Sequence, residues 1–346
     1  MSRVAVVGAG SWGTAFTGLV AANASEVTLW CHSQEVADGV NERHRNPRYL
    51  TSFDMAPNVR ATASLAEAVL GAEAVVLALP STHLRRTCVQ LAPSLPANVP
   101  LLTLTKGIEP HTGLLMTEVA ADALGGHAAI AALSGPNHAE EVCQGSFAAA
   151  VVASEDAGLS EFWRSLVTTS VFRVYTSGDV RGVEVCGAVK NVIAIACGIC
   201  AGSGLGDNTQ ALIMTRGLAE IGRVVSALGG LPMTCMGLAG MGDLVATCTS
   251  EHSRNRRFGE AFARGVSLEQ FERDSHMVVE GARAVVSVRE LARSRGVDVP
   301  LCDAVWSVIY GGASIAAVST TLTGRAPTSE FYGMRTNKNT PAPSHA

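Results

Sequence analysis

The sequence predicts an α/β fold in which a parallel sheet, covered by helices on both faces, is followed by an all-helical domain. Up to about residue 178, short apolar runs alternate with segments of helical periodicity, which is the pattern of a parallel sheet with helical crossovers. Beyond that point the strand-like runs cease and only helical patterns follow. We therefore expect two domains, at residues 1–178 and 179–325.

The first predicted domain contains five short apolar runs bounded by turn signals. Apolar runs of this kind suit strands that are buried on both faces of a parallel sheet. The predicted strands lie at 4–7, 26–30, 74–80, 100–105 and 128–134. Helical patterns separate them, one directly after the glycines at 8–13 and others at about 64–71, 82–92 and 113–124.

The second predicted domain shows helical periodicity throughout. Its predicted helices lie at 180–201, 208–228, 254–264, 279–295 and 301–311. The most apolar stretch, at 192–202, is roughly half as long as a membrane span, so we expect a buried core helix and no membrane span. The tail at 333–346 is polar and contains proline, which predicts disorder.

Composition and charge limit the possible partners. The chain has 346 residues, enough for two domains, and its 47% hydrophobic and 16% charged residues are typical of a globular protein. The formal net charge of −4, without extended basic runs, argues against nucleic acid as the main partner. A local cationic site for a small anion remains compatible with this balance.

The cysteines point to a reducing compartment. The chain has nine of them without regular spacing, which indicates reduced thiols and a cytoplasmic protein. The pair in "CGIC" at 197–200 lies within an apolar helical run and has no second pair to complete a metal site. We interpret it as packed thiols rather than a redox centre, and we expect no metal.

The glycines of "GAGSWG" at 8–13 follow the first predicted strand and precede a predicted helix. Gly8 suits a tight turn, Gly10 lets the backbone approach a pyrophosphate, and Gly13 lets the helix pack against the strand. The helix N-terminus then offers free N–H groups to phosphates. In this context the spacing predicts a dinucleotide site of the Rossmann type, whereas alone it would equally fit a tight turn.

The end of the second predicted strand bears on the choice of cofactor. A carboxylate about 20 residues after the glycines would bind the ribose 2′-hydroxyl of NAD, but this place reads Cys31, His32 and Ser33. The cofactor is therefore expected to be NAD or NADP, with NADP or dual use favoured. His32 and Ser33 are candidate phosphate contacts, and Arg43 and Arg45 are more distant ones. Alternatively, His32 is merely an exposed residue at a strand end.

Lys190 in "CGAVKNVIAIACG" is the strongest catalytic candidate. Its helical neighbours are small or apolar, so we expect burial to lower its pKa. A desolvated lysine can exchange a proton with a substrate oxygen near neutral pH, and its charge polarises a carbonyl. The alternative is a lysine whose stem packs on apolar surface or that forms a structural ion pair.

Two further segments of the second domain carry candidate residues. Asp243 lies among the glycines of "GLAGMGDLVAT" and is expected to pair with Lys190, to accept a substrate hydroxyl, or to cap a helix. In "SRNRRFG", Ser253 is a predicted helix cap, with Arg254 and Asn255 at the positive end of the helix. This arrangement fits a phosphate, although a solvated arginine cluster would show the same pattern.

Two segments of the first domain follow predicted strands at the carboxyl edge of the sheet, where ligands bind in such folds. "TKG" at 105–107 offers Lys106 as a contact for a substrate anion. In "SGPNHAEEV" at 134–142, Pro136 fixes a turn that exposes backbone N–H groups, and Glu140 and Glu141 favour a helix start.

These segments together resemble the bacterial-type NAD(P)-dependent glycerol-3-phosphate dehydrogenases. The resemblance spans roughly residues 4–325. It rests on the blocks "GAGSWGTA", "TKGIE", "SGPNHAEEV", "GAVKNVIAIACG", "GDNTQALIMTRGLAEI", "GLAGMGDLVATCTS", "SRNRRFG" and "VVEGARA", in this order. It implies reversible reduction of dihydroxyacetone phosphate to sn-glycerol 3-phosphate for phospholipid synthesis, by a homodimer.

The resemblance also implies roles for individual residues, with Lys190 as proton donor and acceptor. The implied substrate contacts are Lys106, Gly135, Asn137, Lys190, Asp243, Ser253, Arg254 and Asn255. The implied cofactor contacts, in addition to Gly8, Gly10 and Gly13, are Ser11, Trp12, His32, Tyr49, Lys106, Ala139, Arg254, Val278 and Glu280. His138 stands where the family pattern has an aromatic or aliphatic residue, which concerns local packing rather than the mechanism.

Two other functions fit parts of the pattern. A dehydrogenase of similar architecture could act on a hydroxy acid such as 3-hydroxyisobutyrate or 6-phosphogluconate, but its substrate needs a carboxylate site, whereas "SRNRR" suits a phosphate. A dinucleotide sensor without enzymatic activity would retain the glycine turn but would not need a lysine in an apolar helix.

Overall fold

The computed structural model describes residues 2–275 and 278–334. These residues divide into two compact units, the first containing the chain up to Lys106 together with Leu114–Val180, and the second containing Gly107–Gly113 and the chain from Arg181 onward. The predicted division after residue 178 had placed Gly107–Gly113 in the first domain, whereas this segment groups with the second unit. The predicted tail at 333–346 lies, apart from its first two residues, outside the described part.

A single sheet forms the centre of the first unit. Its strands are β1 (Arg3–Val7), β2 (Glu26–Trp30), β3 (Val59–Thr62), β4 (Ala74–Leu77), β5 (Leu101–Thr103), β6 (Ile130–Ser134), β7 (Ala148–Ala153) and β8 (Phe172–Ser177). Their order across the sheet is β3-β2-β1-β4-β5-β6-β7-β8. All neighbours run parallel except β6 and β7, which are antiparallel. The predicted parallel sheet is therefore confirmed over β1 to β6, and β7 reverses its direction.

Helices cover both faces of this sheet. They are α1 (Ser11–Ala21), α2 (Gln34–Arg43), α3 (Leu65–Val69), α4 (Ser81–Leu91), α5 (Met116–Ala123), α6 (Ala139–Cys143) and α7 (Ala157–Val167). Alternate residues of β1 enter two separate cores: Val6 packs in one with Phe16 of α1, and Val7 packs in the other with Leu84 of α4. Burial on both faces explains why the central strands are apolar throughout.

Three strands were not predicted from the sequence. β8 lies at the sheet edge, where Phe172 and Val174 are buried while Arg173 and Tyr175 are exposed. That alternation is visible in the sequence and could have identified the strand. β7 begins with three alanines, which are poor strand formers, so its extended structure depends on pairing with β6 and β8.

The sheet order creates a switch point at β1. From β1 the chain adds β2 and β3 on one side, and then returns to add β4 on the other. In open α/β sheets, ligands bind beyond the carboxyl ends of the strands at such a point. The glycine turn that follows β1 therefore occupies the position where this unit is expected to bind a ligand.

The described part of the second unit is helical, as predicted. Its helices are α8 (Val180–Gly202, whose first residue belongs to the first unit), α9 (Asp207–Ala227), α10 (Asp243–Thr249), α11 (Arg254–Ala263), α12 (Leu268–Ser275), α13 (Glu280–Ser294), α14 (Pro300–Ile309) and α15 (Ile315–Thr323). A 3₁₀ turn at Pro232–Met236 and a π-helical turn at Leu238–Gly242 precede α10.

The long helix α8 forms the core of the second unit. Its length and composition would suffice to cross a membrane, but 78% of its most apolar window is buried within the protein. A Cβ atom on Gly198 of α8 would lie 2.0 Å from the carbonyl oxygen of Arg256, and one on Gly259 of α11 would lie 2.2 Å from that of Ile195. The backbones of α8 and α11 therefore meet directly, which a side chain at either glycine would prevent.

Candidate active site

In the glycine turn, backbone packing alone requires glycine at two of the three positions. Gly8 has φ +122°, and a Cβ atom there would lie 2.3 Å from the carbonyl oxygen of Ala78. A Cβ atom on Gly13 would lie 1.9 Å from the carbonyl oxygen of Gly8. By contrast, no described atom lies within 4 Å of the Cβ position on Gly10. The open side of the turn is therefore at Gly10, where a pyrophosphate was predicted to approach.

The first turn of α1 is suited to an anion. The first backbone bond of the helix is Thr14 N to Gly10 O, at 2.9 Å, so the N–H groups of Ser11, Trp12 and Gly13 precede the intrahelical ladder. The first turn carries no acidic side chain. The partial positive charge of this helix end is thus not neutralised by a carboxylate of its own turn, which fits a dinucleotide pyrophosphate.

Residues at the end of β2 lie next to the first turn of α2. Cys31 is fully buried, and burial raises the pKa of its thiol to about 12, so the thiol is uncharged at neutral pH. His32 is exposed, with its ring edge-on to Trp30 at a centroid distance of 6.3 Å. Ser33 is the N-cap residue of α2. None of these three residues places a negative charge at the strand end.

The more distant arginine candidates have acidic partners elsewhere. Arg45 donates from Nε to Oδ1 of Asp54 at 2.5 Å, and Nη1 of Arg43 lies 3.6 Å from Oε2 of Glu42. Neither of these contacts involves a residue at the end of β2.

The loop that carries Tyr49 is anchored to the glycine turn by Asn46, which the sequence analysis did not identify. Asn46 is fully buried, and its Nδ2 donates to the carbonyl oxygen of Ala9 at 2.9 Å and to Thr14 Oγ1 at 2.8 Å. Its Oδ1 accepts from the backbone N–H groups of Arg48 and Tyr49 at 2.9 and 3.1 Å. In the sequence Asn46 looks like an ordinary polar loop residue, because only tertiary packing buries it.

Predicted substrate contacts of the first unit lie at the same sheet edge as the glycine turn. Lys106 follows β5, and Gly135 and Asn137 follow β6, both strands being parallel to β1. Gly135 has φ +153°, and a Cβ atom there would lie 2.7 Å from the carbonyl oxygen of Ala149. The Nδ2 atom of Asn137 is buried and has no hydrogen-bond partner among the described residues, so it offers a donor to a ligand.

Helix α6 begins at Ala139, directly after this segment. Glu140 and Glu141 lie in its first turn, as predicted, and Ala139 is buried. His138 precedes the helix as its N-cap residue and is half-buried. A histidine is thus accommodated where an aromatic or aliphatic residue was expected.

Lys190 lies in the middle of α8 and is only 6% exposed. Its Nζ donates to the carboxylate of Asp243, which is 3% exposed, and to Oγ1 of Thr247 at 2.7 Å. The Thr247 hydroxyl in turn lies 3.3 Å from Asp243 Oδ1. These three side chains form a buried, hydrogen-bonded cluster that holds Nζ in one position.

Of the predicted roles of Asp243, the structure shows the pairing with Lys190. The residue opens α10 directly after the π-helical turn, and the N-cap position is occupied by Gly242 rather than by Asp243. π-Helical turns are frequent at functional sites. Thr247 was not predicted from the sequence, although it lies one helical turn after Asp243 and therefore on the same helix face.

A second network joins α8 to α11 and α13. Nδ2 of Asn255 donates to Oδ1 of Asn191 at 3.0 Å, and Oδ1 of Asn255 accepts from the backbone N–H of Gly281 at 2.8 Å. The predicted contact Asn255 is thus bonded to the residue that follows Lys190 in α8. Asn191 was also missed by the sequence analysis.

The start of α11 and the residues before α13 lie side by side. Ser253 caps α11 by accepting from the backbone N–H of Arg256 at 3.2 Å, as predicted. The Arg254 side chain is exposed, and its Nη1 lies 3.5 Å from the carbonyl oxygen of Val278. Glu280 is the first residue of α13. The second unit thus brings together Arg254, Val278 and Glu280, three of the predicted cofactor contacts.

The thiols of "CGIC" are buried within the helical unit. Cys197 and Cys200 are free, and Cys197 is hydrogen-bonded to Cys248 of α10. This bond and burial raise the pKa of Cys248 well above its ordinary value, so the thiol remains protonated. In residues 2–275 and 278–334, no group of three or more histidine, cysteine or acidic side chains is arranged to hold a metal ion.

Comparison with known proteins identifies the family. Residues 3–160 match the model of the N-terminal part of NAD-dependent glycerol-3-phosphate dehydrogenase, and residues 179–320 match that of its C-terminal part. A glycerol-3-phosphate dehydrogenase [NAD(P)+] of Corynebacterium urealyticum is 47% identical over 327 residues, which cover 94% of this chain and 98% of the relative. A Mycobacterium bovis relative with the same activity in its name is 46% identical over 325 residues, covering 94% of this chain and 97% of the relative.

Solved structures agree with these matches. The crystal structure of glycerol-3-phosphate dehydrogenase from Coxiella burnetii has a TM-score of 0.89 and 34% sequence identity, covering 94% of this chain and 99% of that one. A ketopantoate reductase from Ralstonia eutropha, at 18% identity and a TM-score of 0.55, shares only the fold. The predicted resemblance is thus confirmed, and the chain belongs to the NAD-dependent glycerol-3-phosphate dehydrogenase family.

Proposed function

We propose that the protein catalyses the reversible NAD(P)-dependent reduction of dihydroxyacetone phosphate to sn-glycerol 3-phosphate, which supplies the backbone of phospholipids. The observation that carries this proposal is the buried cluster of Lys190, Asp243 and Thr247. It occurs in a chain whose full-length relatives are named for this activity. A sensor that only bound a dinucleotide would have no use for a buried lysine.

The first unit is proposed to bind the dinucleotide. The turn at Gly8, Gly10 and Gly13 and the first N–H groups of α1 would hold the pyrophosphate, and Asn46 fixes the loop of Tyr49 against that turn. When bound, the reduced nicotinamide supplies the hydride. His32, Ala139 and the remaining predicted cofactor contacts stay predictions.

Lys190 is proposed to be the proton donor in reduction and the proton acceptor in oxidation. Its ammonium group donates a proton to the carbonyl oxygen as that oxygen gains negative charge during reduction, and the neutral amine takes the proton back in the reverse direction. Asp243 stabilises the charged form of Lys190 within the protein interior, which burial alone would disfavour. Thr247 restricts the direction of Nζ, so the proton is presented in one orientation.

The start of α11 is proposed to bind the substrate phosphate. A guanidinium at a helix N-terminus combines a fork of donors with the partial positive charge of the helix. Arg254 provides this guanidinium, and Asn255 is held beside it by Asn191 and Gly281. Lys106, Gly135 and Asn137 remain predicted substrate contacts.

The decisive assay measures oxidation of NADH and of NADPH with dihydroxyacetone phosphate, in parallel with a panel of keto acids. Turnover of dihydroxyacetone phosphate well above that of every keto acid supports the proposal. Preference for a keto acid would favour a hydroxy-acid dehydrogenase, and dinucleotide binding without any turnover would favour a sensor.

A cytoplasmic homodimer is the proposed working form. All nine cysteines are free, which suits a reducing compartment. The second unit exposes large apolar side chains, among them Leu212, Met233 and Met236, and such residues are often covered by another subunit. Light scattering should give twice the mass of the chain, and Met233→Glu should shift the protein toward the monomer if this residue lies in the contact.

A further inference from the structure

The first turn of α2 contains an ion pair that neither the sequence motifs nor the proposed mechanism explains. Nη2 of Arg48 contacts Oε2 of Glu35, the only acidic residue in that turn. Glu35 lies two residues after Ser33, the N-cap of α2. The ion pair therefore places the Arg48 guanidinium at the first turn of α2, the helix that follows β2, although Arg48 lies in the loop after that helix.

This position has a specific meaning in a dinucleotide-binding fold. The 2′ position of the adenosine ribose lies at the end of the second strand, where a carboxylate selects NAD and an arginine accommodates the 2′-phosphate of NADP. Cys31 at this end is uncharged, and Ser33 and His32 are polar. Arg43 lies in the last turn of α2, at the opposite end of that helix, and Arg45 contacts Asp54 rather than a residue of the first turn.

Arg48 is held at a fixed distance from the glycine turn. Its backbone N–H donates to Oδ1 of the buried Asn46 at 2.9 Å, and Nδ2 of the same residue donates to the carbonyl oxygen of Ala9 at 2.9 Å. A single amide side chain thus links the turn that would hold the pyrophosphate to the residue whose guanidinium contacts the first turn of α2. This link keeps the base of the Arg48 side chain in register with a bound dinucleotide.

We propose that Arg48 binds the 2′-phosphate of NADP and that Glu35 competes with this phosphate for the same guanidinium. The inference rests on the proposed function and names the residues that set its cofactor preference. The side chains of Arg48 and Glu35 are 53% and 63% exposed, so their pairing is weak and readily exchanged. A phosphomonoester offers Arg48 a doubly charged, bidentate partner in place of the carboxylate.

The competition explains use of both cofactors. With NADP, Arg48 leaves Glu35 for the 2′-phosphate, and the released carboxylate offsets part of the gain by repelling that phosphate. With NAD, the ion pair of Arg48 and Glu35 remains intact, so the net charge beside the ribose is zero.

Arg48→Gln tests the proposal directly. We expect kcat/KM for NADPH to fall about 10- to 100-fold, the range for one charge-assisted hydrogen bond, and kcat/KM for NADH to fall about threefold or less. Dissociation constants for 2′,5′-ADP and 5′-ADP, measured by isothermal titration calorimetry, provide a second readout without substrate. The constant for 2′,5′-ADP should rise in parallel with the loss for NADPH, whereas that for 5′-ADP should follow NADH.

Two further variants sharpen the test. Glu35→Gln should raise kcat/KM for NADPH about two- to fivefold, because it removes an exposed competitor, and should affect NADH less. Arg45→Gln is the matched control, since it removes the same charge from the same loop, but its guanidinium contacts Asp54 of that loop and not Glu35 of α2. Its ratio of NADPH to NADH efficiency should stay within about twofold of the parent.

Equal losses for both cofactors and both nucleotides in Arg48→Gln would show that Arg48 only supports the loop and would overturn the proposal. A shift of the same size in Arg45→Gln would do so as well, because it would indicate a general effect of charge. If the parent protein reduces no dihydroxyacetone phosphate with either cofactor, the proposed function fails. The dissociation constants of 2′,5′-ADP and 5′-ADP, which need no turnover, still decide the role of Arg48 in that case.

Discussion

Lys190 and Asp243 are buried together, so substituting the lysine has two separable effects. Lys190→Met removes the proposed proton donor and should reduce kcat by about 10²–10⁴-fold while leaving the dissociation constant of the cofactor largely unchanged. It also leaves the Asp243 carboxylate buried without its cation, which should lower the free energy of unfolding by about 3–5 kcal/mol. Steady-state kinetics measure the fall in kcat, and urea denaturation measures the fall in free energy of unfolding.

The double variant Lys190→Met with Asp243→Asn separates chemistry from stability. Because it removes both charges, it should recover most of the lost free energy of unfolding but none of the turnover. If kcat of the single variant Lys190→Met stays within a few-fold of the parent value, Lys190 is a structural ion-pair residue, which is the alternative that its sequence pattern left open.

At the scale of elements, the start of α11 is the proposed phosphate site, and Arg254→Ala tests it. Loss of a charged hydrogen bond should reduce kcat/KM for dihydroxyacetone phosphate, and the reduction should correspond to a loss of about 1.5–3 kcal/mol in transition-state stabilisation. Dihydroxyacetone, which has no phosphate, should react slowly with the parent and lose little more in the variant. Since Arg254 is also a predicted cofactor contact, its effect on the cofactor dissociation constant must be subtracted.

Arg257→Ala is the matched control for this helix, because Arg257 is another exposed arginine of the same first turns. It should leave both substrates nearly unaffected. If Arg254→Ala lowers kcat/KM equally for dihydroxyacetone and for dihydroxyacetone phosphate after the cofactor effect is subtracted, the phosphate does not bind at the start of α11.

At the scale of the whole molecule, Glu220 is expected to make stability depend on pH. This carboxyl group on α9 is fully buried and accepts from the backbone N–H groups of Leu301 and Cys302 at 2.5 and 3.2 Å. Burial raises its pKa from 4.5 to about 7, although these two bonds and the nearby Arg223 act in the opposite direction. Between these values the folded protein binds more protons than the unfolded chain, so stability must fall as pH rises from about 4.5 to about 7.

Glu220→Gln isolates this contribution because the amide cannot ionise and can still accept a hydrogen bond. Relative to the parent, the variant should gain on the order of 3 kcal/mol in free energy of unfolding between about pH 5 and pH 8, at about 1.4 kcal/mol per pKa unit. Urea denaturation of both proteins across this range gives the difference. A gap between them that does not change with pH would mean that Glu220 does not titrate in the folded state.

The sequence permitted prediction of features that depend on neighbouring residues. The glycine turn, the central strands and the long helix α8 follow from spacing and periodicity within short windows. Lys190 stood out because its own helical neighbours are small or apolar. Thr247 and Asn191 did not stand out, since a threonine or asparagine in a helix gains meaning only from the partner it meets.

What the sequence determined by itself was the alternation of the central strands with helices, the helical character of the second unit and the turn after β1, because backbone preference and hydrophobic periodicity act over a few residues. Tertiary structure alone decided the reversed direction of β7, the pairing of Lys190 with Asp243 and the position of Arg48 beside Glu35. Each of these joins segments that are distant in the chain or free to choose another partner. Packing of the helices and sheet selects among such partners, since the burial of a charge or a backbone N–H is tolerated only where its counterpart is brought to meet it.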